Sequence, residues 1–467
     1  MRFAQEGNAQ NQCLAGIGAS GRSCLLSRTV GADKAVPPAS PILKEKAGKK
    51  PHALKHFLAI LGPGLVTGAS DDDPSGIGAY ATAGAQLGYT PLWTALVTFP
   101  LMASVQFVCA KIGLVSGRGL AGVLAKHYPR SLLYTAVLGM MAANTINAGA
   151  DILAIAAGIN LLIPVPVTVM LMPIALMILG LQVWGSYRLI ANAFKWLTLS
   201  LFAYIGAAFL AHPNWNEVLR GTFVPTVQFD RQFLATIVAV LGTTISPYLF
   251  FWQASQEVEE EISKGRKSLW RRQSATHEEL RYAFWDVNVG MLFSNVVMYF
   301  IILASAATLH HAGKANIATA ADAAEALRPL AGNAATILMA LGLIGTGLLA
   351  VPILTGSAAY AVCESFGWTC SLDAKPGKAK EFYLVLGAAT LAGLLIDFIG
   401  ISPMAALFWT AVLNGFLAPP LLVVVMLISN NRKVMGTRVN TAWENILGWT
   451  TTVLMFGAAV ALVLTWW

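Results

Sequence analysis

The sequence predicts an all-α polytopic membrane protein with two five-helix repeats of opposite direction, an eleventh helix, and breaks in helices 1 and 6. Three observations carry that expectation. Of the 467 residues, 56% are hydrophobic and only 12% are charged, and mean hydropathy is +0.63; soluble domains carry about 25% charged residues. Windows of roughly 20 apolar residues recur after residue 56, centred near residues 72, 103, 147, 174, 200, 247, 297, 350, 390, 416 and 456. The first and sixth of these windows are interrupted by Pro beside polar residues.

Residues 1–56, rich in Gly, Ala, Ser and Pro, lack the apolar core of a signal peptide and read as a disordered cytoplasmic tail. Residues 57–467 then form the eleven-span domain, with repeat one at about 57–211, repeat two at about 232–430 and helix 11 at about 445–467. With a cytoplasmic N-terminus, all but four of the 31 Lys and Arg fall on the cytoplasmic side, the exceptions being Arg220, Arg231, Lys314 and Arg328. That bias is the positive-inside rule. It accounts for the net charge of +8 without a nucleic-acid partner and places the C-terminus outside. Lipid bilayer is the one surrounding implied, with the cell membrane as the expected location and no protein partner indicated. Cys13, Cys24, Cys109, Cys363 and Cys370 show no metal-type spacing and read as reduced thiols.

Span 1 contains "GLVTGASDDDPSGIGAYATAG", which puts Asp71, Asp72 and Asp73 inside an apolar window. Each intramembrane carboxylate costs about 2.5 to 3.5 kcal/mol on insertion scales, so three in succession are not retained for packing. Asp71 is expected to face a vestibule. A helix interrupted at this depth is tolerated only where its freed backbone groups are buried in protein or line a wet cavity. The interruption is read at Asp73-Pro74-Ser75-Gly76, and its counterpart in span 6 at Thr243-Thr244-Ile245-Ser246-Pro247. Each broken span opens a block of five, and an odd number of crossings inverts the second block. Paired discontinuous helices at corresponding positions point to a mid-membrane ion or substrate site. Pro100 and Pro352, by contrast, read as ordinary kinks.

The "GPGLVTGASDDDPSG" of span 1, the "GTTISPYLFFW" of span 6 and the "LAPPLLVVVMLISNNRKVMG" that ends span 10 resemble the natural resistance-associated macrophage protein (Nramp) family of divalent-metal transporters. The resemblance runs over essentially all eleven spans and implies a LeuT-type fold. In that family the span-1 motif is D-P-G-N, whose Asp and Asn bind the metal; this chain keeps Asp73 but has Gly76 in place of the Asn. The span-6 motif is A-x-x-M-P-H, read here as Thr243-Thr244-Ile245-Ser246-Pro247-Tyr248, so the thioether and the His are both replaced. A soft sulfur ligand favours Mn, Fe and heavier ions, whereas an all-oxygen, acidic, roomier site suits partly hydrated Mg²⁺. The same substitutions resemble the Nramp-related magnesium transporter branch.

The resemblance implies a metal site made of Asp73 as central carboxylate, Asp72 as added charge, the space at Gly76, the unwound backbone near Thr243 and the Ser246 hydroxyl. Alignment of span 10 puts Ala411 at a Gln ligand position, and Asn414, one turn on, either lines the site or bonds another helix. Asp71, Asp151 and Tyr248 are candidate pathway residues. The seven His fall in loops or near span ends, and the two family His positions of span 6 read Tyr248 and Gln253. With no His relay, uptake is expected to be uncoupled from protons and driven by potential, where a divalent cation gains about 4.6 kcal/mol per 100 mV. No resident cofactor is implied.

Two alternatives stand beside this reading: a proton-coupled Mn²⁺ or Fe²⁺ transporter, and an Nramp-like membrane sensor, which would favour a large soluble output domain where this chain stops at Trp467. Catalysis is not expected, since no P-loop, H-E-x-x-H or G-x-S-x-G motif occurs in supporting context. Glu364 and Asp397 read as interfacial or packing residues, and Asp286, Asn288 and Asn295 as either pathway or helix-bridging residues. The "EVEEEISKGRKSLWRRQ" segment is expected to be a solvated cytoplasmic loop.

Overall fold

In the computed structural model the described residues are 62–184, 199–372, 374–397 and 400–465. The expected tail at 1–56, the side chain of Asp397 and most of the approach to span 5 lie outside them. Span 1 is split into α1 (Pro63–Asp71) and α2 (Pro74–Leu87). Span 2 is α3 (Trp93–Ser116), followed by the short α4 (Leu120–His127) and then span 3 as α5 (Arg130–Leu162). Span 4 is α6 (Val167–Trp184), and the described end of span 5 is α7 (Ala203–Leu210). After the connecting α8 (Trp215–Phe223), span 6 is split into α9 (Arg231–Thr244) and α10 (Pro247–Ser263). Spans 7 to 11 are α11 (His277–Ser305), α12 (Ala335–Phe366), α13 (Lys380–Asp397), α14 (Pro403–Ser429) and α15 (Ala442–Leu464). Among the described residues, eight helical stretches are long and apolar enough to cross a membrane, and they correspond to spans 2, 3, 4, 6, 7, 8, 10 and 11.

Pro100 and Pro352 sit inside continuous helices, as does the Pro419-Pro420 pair of α14. The span-6 segment corrects an expectation. Its acidic half is not a solvated loop but the last turns of α10, where Glu257 and Glu261 are 4% and 2% exposed. Two devices keep that half helical and inward. Gln253 donates to Glu257 one turn along (2.9 Å), and Glu261 is paired by Lys264 and Arg266. Only from Lys264 onward does the chain leave the helix.

The helices that carry the breaks are placed by glycines. A Cβ added at Gly68 would lie 2.2 Å from the Gly290 carbonyl oxygen of α11, and one added at Gly290 would lie 2.3 Å from the Gly64 oxygen of α1. The two backbones therefore touch along Gly64-x-x-x-Gly68, the small-residue spacing that lets membrane helices approach closely. In the same way a Cβ at Gly242 of α9 would meet the Ala411 oxygen and the Gly415 nitrogen of α14 at 2.1 and 2.3 Å. Asp286 of α11 extends the first contact by accepting from the Gly62 and Gly64 amides (2.9 and 2.7 Å), which have no partner within their own helix. Asn295, one span face further, donates to Thr98 of α3 (3.1 Å), and Asn288 donates to its own Phe284 carbonyl. Asp286 and Asn295 thus bridge helices. At the helix ends, Lys111 of α3 is paired with Glu444 of α15 at 2.8 Å.

Gly290→Ala should lower the unfolding temperature of the detergent-solubilised protein, with overpacking costing about 1 to 3 kcal/mol. Gly457→Ala, where nothing lies within 4 Å of the added carbon, serves as the neutral comparison. Equal melting of the two variants would show that the α1–α11 contact is not the tight one described.

Candidate metal site

Both breaks follow one backbone pattern. α1 ends at Asp71; Asp72 leaves the helix at φ −83°, ψ 51°, Asp73 is extended at φ −66°, ψ 170°, and Pro74 opens α2. α9 ends at Thr244; Ile245 leaves it at φ −120°, ψ 58°, Ser246 is extended at φ −75°, ψ 130°, and Pro247 opens α10. The interruptions therefore lie at Asp72-Asp73 and Ile245-Ser246. The first begins one residue before the stretch expected from the sequence and the second lies inside its expected stretch, and in both the proline, preorganised for the first helical position, starts the second half-helix. Pro74, Ser75 and Gly76 are already helical, as are Thr243 and Thr244.

Asp73 is the N-cap of α2. Its Oδ1 accepts from the Ser75 hydroxyl (2.6 Å) and the Gly76 amide (2.7 Å), and its Oδ2 accepts from Asn147 Nδ2 of α5 (3.2 Å) and the Tyr248 hydroxyl of α10 (3.5 Å). Tyr248 also donates to the Ser70 carbonyl at 2.8 Å, one of the acceptors that α1 loses by ending there. Tyr248 thus ties the two breaks together. Gly76 abuts the second break directly: a Cβ there would lie 3.1 Å from Thr243 Oγ1. The space beside Gly76 is therefore partly occupied by Thr243.

Ser246 does not turn its proton toward Asp73. Its hydroxyl donates to the Thr243 and Gly242 carbonyls (2.6 and 3.0 Å), capping α9, and keeps only its lone pairs for a ligand. Asn414 is 2% exposed and its Nδ2 has no hydrogen-bond partner; next to Gly415, it stands where α14 meets α9. Asp151 is fully buried one turn beyond Asn147 on α5 and within electrostatic reach of Tyr248.

Asp71 and Asp72 face elsewhere. Ser294 of α11 lies 2.6 Å from Asp71 Oδ2 and 3.1 Å from Asp72 Oδ1. The carboxylate run is thereby divided, with Asp73 toward spans 3 and 6 and the other two toward span 7. Electrostatics follows the division: α2 presents its positive N-terminal end to Asp73, whereas Asp71 and Asp72 crowd the negative C-terminal end of α1. The carbonyl end of α9 lies on the Asp73 side, where Thr243 faces Gly76.

Asn147 and Ser294 were not singled out from the sequence. Asn144, Asn147 and Asp151 share one face of span 3 by helical spacing, and Asp286, Gly290 and Ser294 share one face of span 7; those patterns were the available signals. Asn144 turns out to serve packing, donating to the Leu354 carbonyl and Ser357 hydroxyl of α12. Glu364 also packs, accepting from the Gly122 amide at 2.9 Å. Among the described residues no three His, Cys, Asp or Glu side chains form a chelating group. A cation at the breaks would thus be held by carboxylate together with neutral oxygens.

Among the described residues, a bundle of long apolar helices with two facing helix breaks and buried carboxylates between them defines a membrane protein of the LeuT-type, inverted-repeat class. The family model described as natural resistance-associated macrophage protein-like matches residues 64–465, and the chain belongs to that family. It is 26% identical over 409 residues to the divalent metal cation transporter MntH of Klebsiella pneumoniae (strain 342), a match covering 85% of this chain and 92% of the relative. Among solved structures, a manganese transporter of Eremococcus coleocola is 18% identical with a TM-score of 0.69, covering 90% of this chain and 89% of that one. MHP1, a nucleobase-cation-symport-1 family transporter, is 15% identical with a TM-score of 0.52, covering 86% and 91%. These likenesses confirm the fold class expected from the sequence.

Tyr248→Phe should destabilise the protein by about 1 to 3 kcal/mol, the cost of stranding a buried acceptor, here the Ser70 carbonyl. The ring is retained, so no cavity forms. A chemical-denaturation midpoint identical to that of the native protein would show that Ser70 is satisfied by another donor.

Proposed function

We propose that this integral membrane protein transports a divalent metal cation by alternating access, and that its preferred substrate is a hard cation, Mg²⁺, carried partly hydrated. The observation that supports this most is the donor chemistry at the breaks. Where the motifs of the family have Asn, Met and His, this chain has Gly76, Ser246 and Tyr248. The polar groups around Asp73 are then a carboxylate, hydroxyls, an amide and helix-end carbonyls. Oxygen donors of this kind suit Mg²⁺, which retains several waters and gains nothing from a thioether.

Asp73 is the central ligand in this reading, with Thr243 and its carbonyl, the Ser246 lone pairs and Asn414 around it. Asn147 supplies what span 1 lacks. Its Nδ2 holds Asp73 while its Oδ1 is fully buried without a partner, an amide oxygen free to bind the ion or one of its waters. Transport is uncoupled from protons and driven by the membrane potential, with Tyr248 standing where a titrating His would be. The eleven-span domain at 57–467 carries the activity, with the N-terminus cytoplasmic, the C-terminus outside and the cell membrane as the location.

Reconstituted into proteoliposomes with an inside-negative potential, the protein should take up Mg²⁺ saturably, without proton movement in step with the metal. Asp73→Ala should abolish uptake, and Asn147→Ala should weaken it by roughly 10- to 100-fold, the usual cost of losing a group that orients a metal ligand. Ser246→Met should shift competition toward Mn²⁺. Robust Mn²⁺ uptake with no Mg²⁺ uptake, or a proton-to-metal ratio near one, would favour the proton-coupled transition-metal alternative.

A further inference from the structure

Buried carboxylates that stay charged need hydrogen-bond donors or cations, and the three at the first break are supplied very unequally. Asp73 accepts from the Ser75 hydroxyl, the Gly76 amide and Asn147, has the Tyr248 hydroxyl, shared with the Ser70 carbonyl, at 3.5 Å, and sits on the positive end of α2. Asp71 and Asp72 share one hydroxyl, that of Ser294, at 2.6 and 3.1 Å. A serine hydroxyl has a single proton, so it donates to one of the two at a time. The other oxygen of each, Asp71 Oδ1 and Asp72 Oδ2, is buried and without any partner. Both residues are at most 1% exposed, so bulk water does not supply the missing donors. Among the described residues no basic side chain forms an ion pair with either. Their place at the C-terminal end of α1 makes the local potential more negative still. The position most in need of a cation is therefore this pair, and not Asp73.

We propose that Asp71, Asp72 and Ser294 form a second divalent-cation position, between spans 1 and 7, adjacent to the position at Asp73 between spans 1, 3 and 6. This rests on the reading of the protein as a Mg²⁺ transporter and deepens it. The two carboxylates supply charge and oxygen ligands, and the Ser294 oxygen holds them together through the close contact that Gly68 and Gly290 make one turn below. Two divalent ions so near one another in a low-dielectric site repel strongly. One ion therefore occupies the positions in turn, as in multi-site conduction where each site must bind and also release. Asp72, next to Asp73 in the chain, is the point of transfer.

Equilibrium dialysis of Mg²⁺ against the full chain in lipid nanodiscs tests this directly. Asp73→Asn keeps an N-cap residue of comparable strength and removes the first position's charge. This variant should still bind one Mg²⁺ while losing uptake. Adding Asp71→Asn and Asp72→Asn should abolish the remaining binding, and adding Ser294→Ala instead should weaken it roughly tenfold or more. Complete loss of Mg²⁺ binding in Asp73→Asn alone, with binding intact in the native protein, would overturn the second position and leave the transporter reading standing. A native protein that neither binds nor takes up Mg²⁺ would overturn that reading and this proposal with it. Should Asp73→Asn not purify as a monodisperse protein, Ser294→Ala in the native background decides. Uptake at subsaturating Mg²⁺ should slow roughly tenfold or more, and unchanged uptake would overturn the proposal.

Discussion

A helix that stops inside a bilayer leaves amides and carbonyls that no water or lipid will satisfy, and the rest of this structure is arranged around that requirement. Each break supplies part of the answer locally, through Asp73 capping α2 and Ser246 capping α9. The rest comes from other spans. Tyr248 reaches across to the Ser70 carbonyl, Asn147 braces Asp73, and Asp286 takes the free amides at the far end of α1. The groups that make the breaks affordable are the same groups that surround the candidate site, so stability and function cannot be altered independently there.

The chemistry follows from how donors are shared out. Had all three carboxylates been supplied as fully as Asp73, the region would be a neutralised polar core with no need of a ligand. Instead the donors cluster on one side and leave a deficit on the other. On the well-supplied side, around Asp73, the hydroxyl groups of Ser246 and Tyr248 give the donor set a hard character. Selectivity in this reading owes less to any one ligand than to the absence of soft ones.

Much of this was legible in the sequence, for identifiable reasons. Span number follows from hydropathy, and break location follows from Pro beside polar residues in apolar windows. The span-6 break falls inside its expected stretch, while the span-1 break begins one residue early, because Pro74 marks where a helix begins again and not where it stops. Asn147 and Ser294 lie on otherwise ordinary spans and acquire their roles only through packing between distant segments, which hydropathy does not encode. The inward turn of Glu257 was hidden for a related reason. A run of acidic residues looks solvated until its partners Gln253, Lys264 and Arg266 are placed.

The half-helix α1 is fastened to α11 at three levels: Asp286 on its opening amides, Gly290 against Gly64 and Gly68, and Ser294 at its closing carboxylates. Such a segment is poorly suited to swinging alone. A displacement that opened a passage beside it would either carry span 7 along as a single rigid lever or have to break all three fastenings at once. The broken helix and its unbroken neighbour are, in mechanical terms, one part.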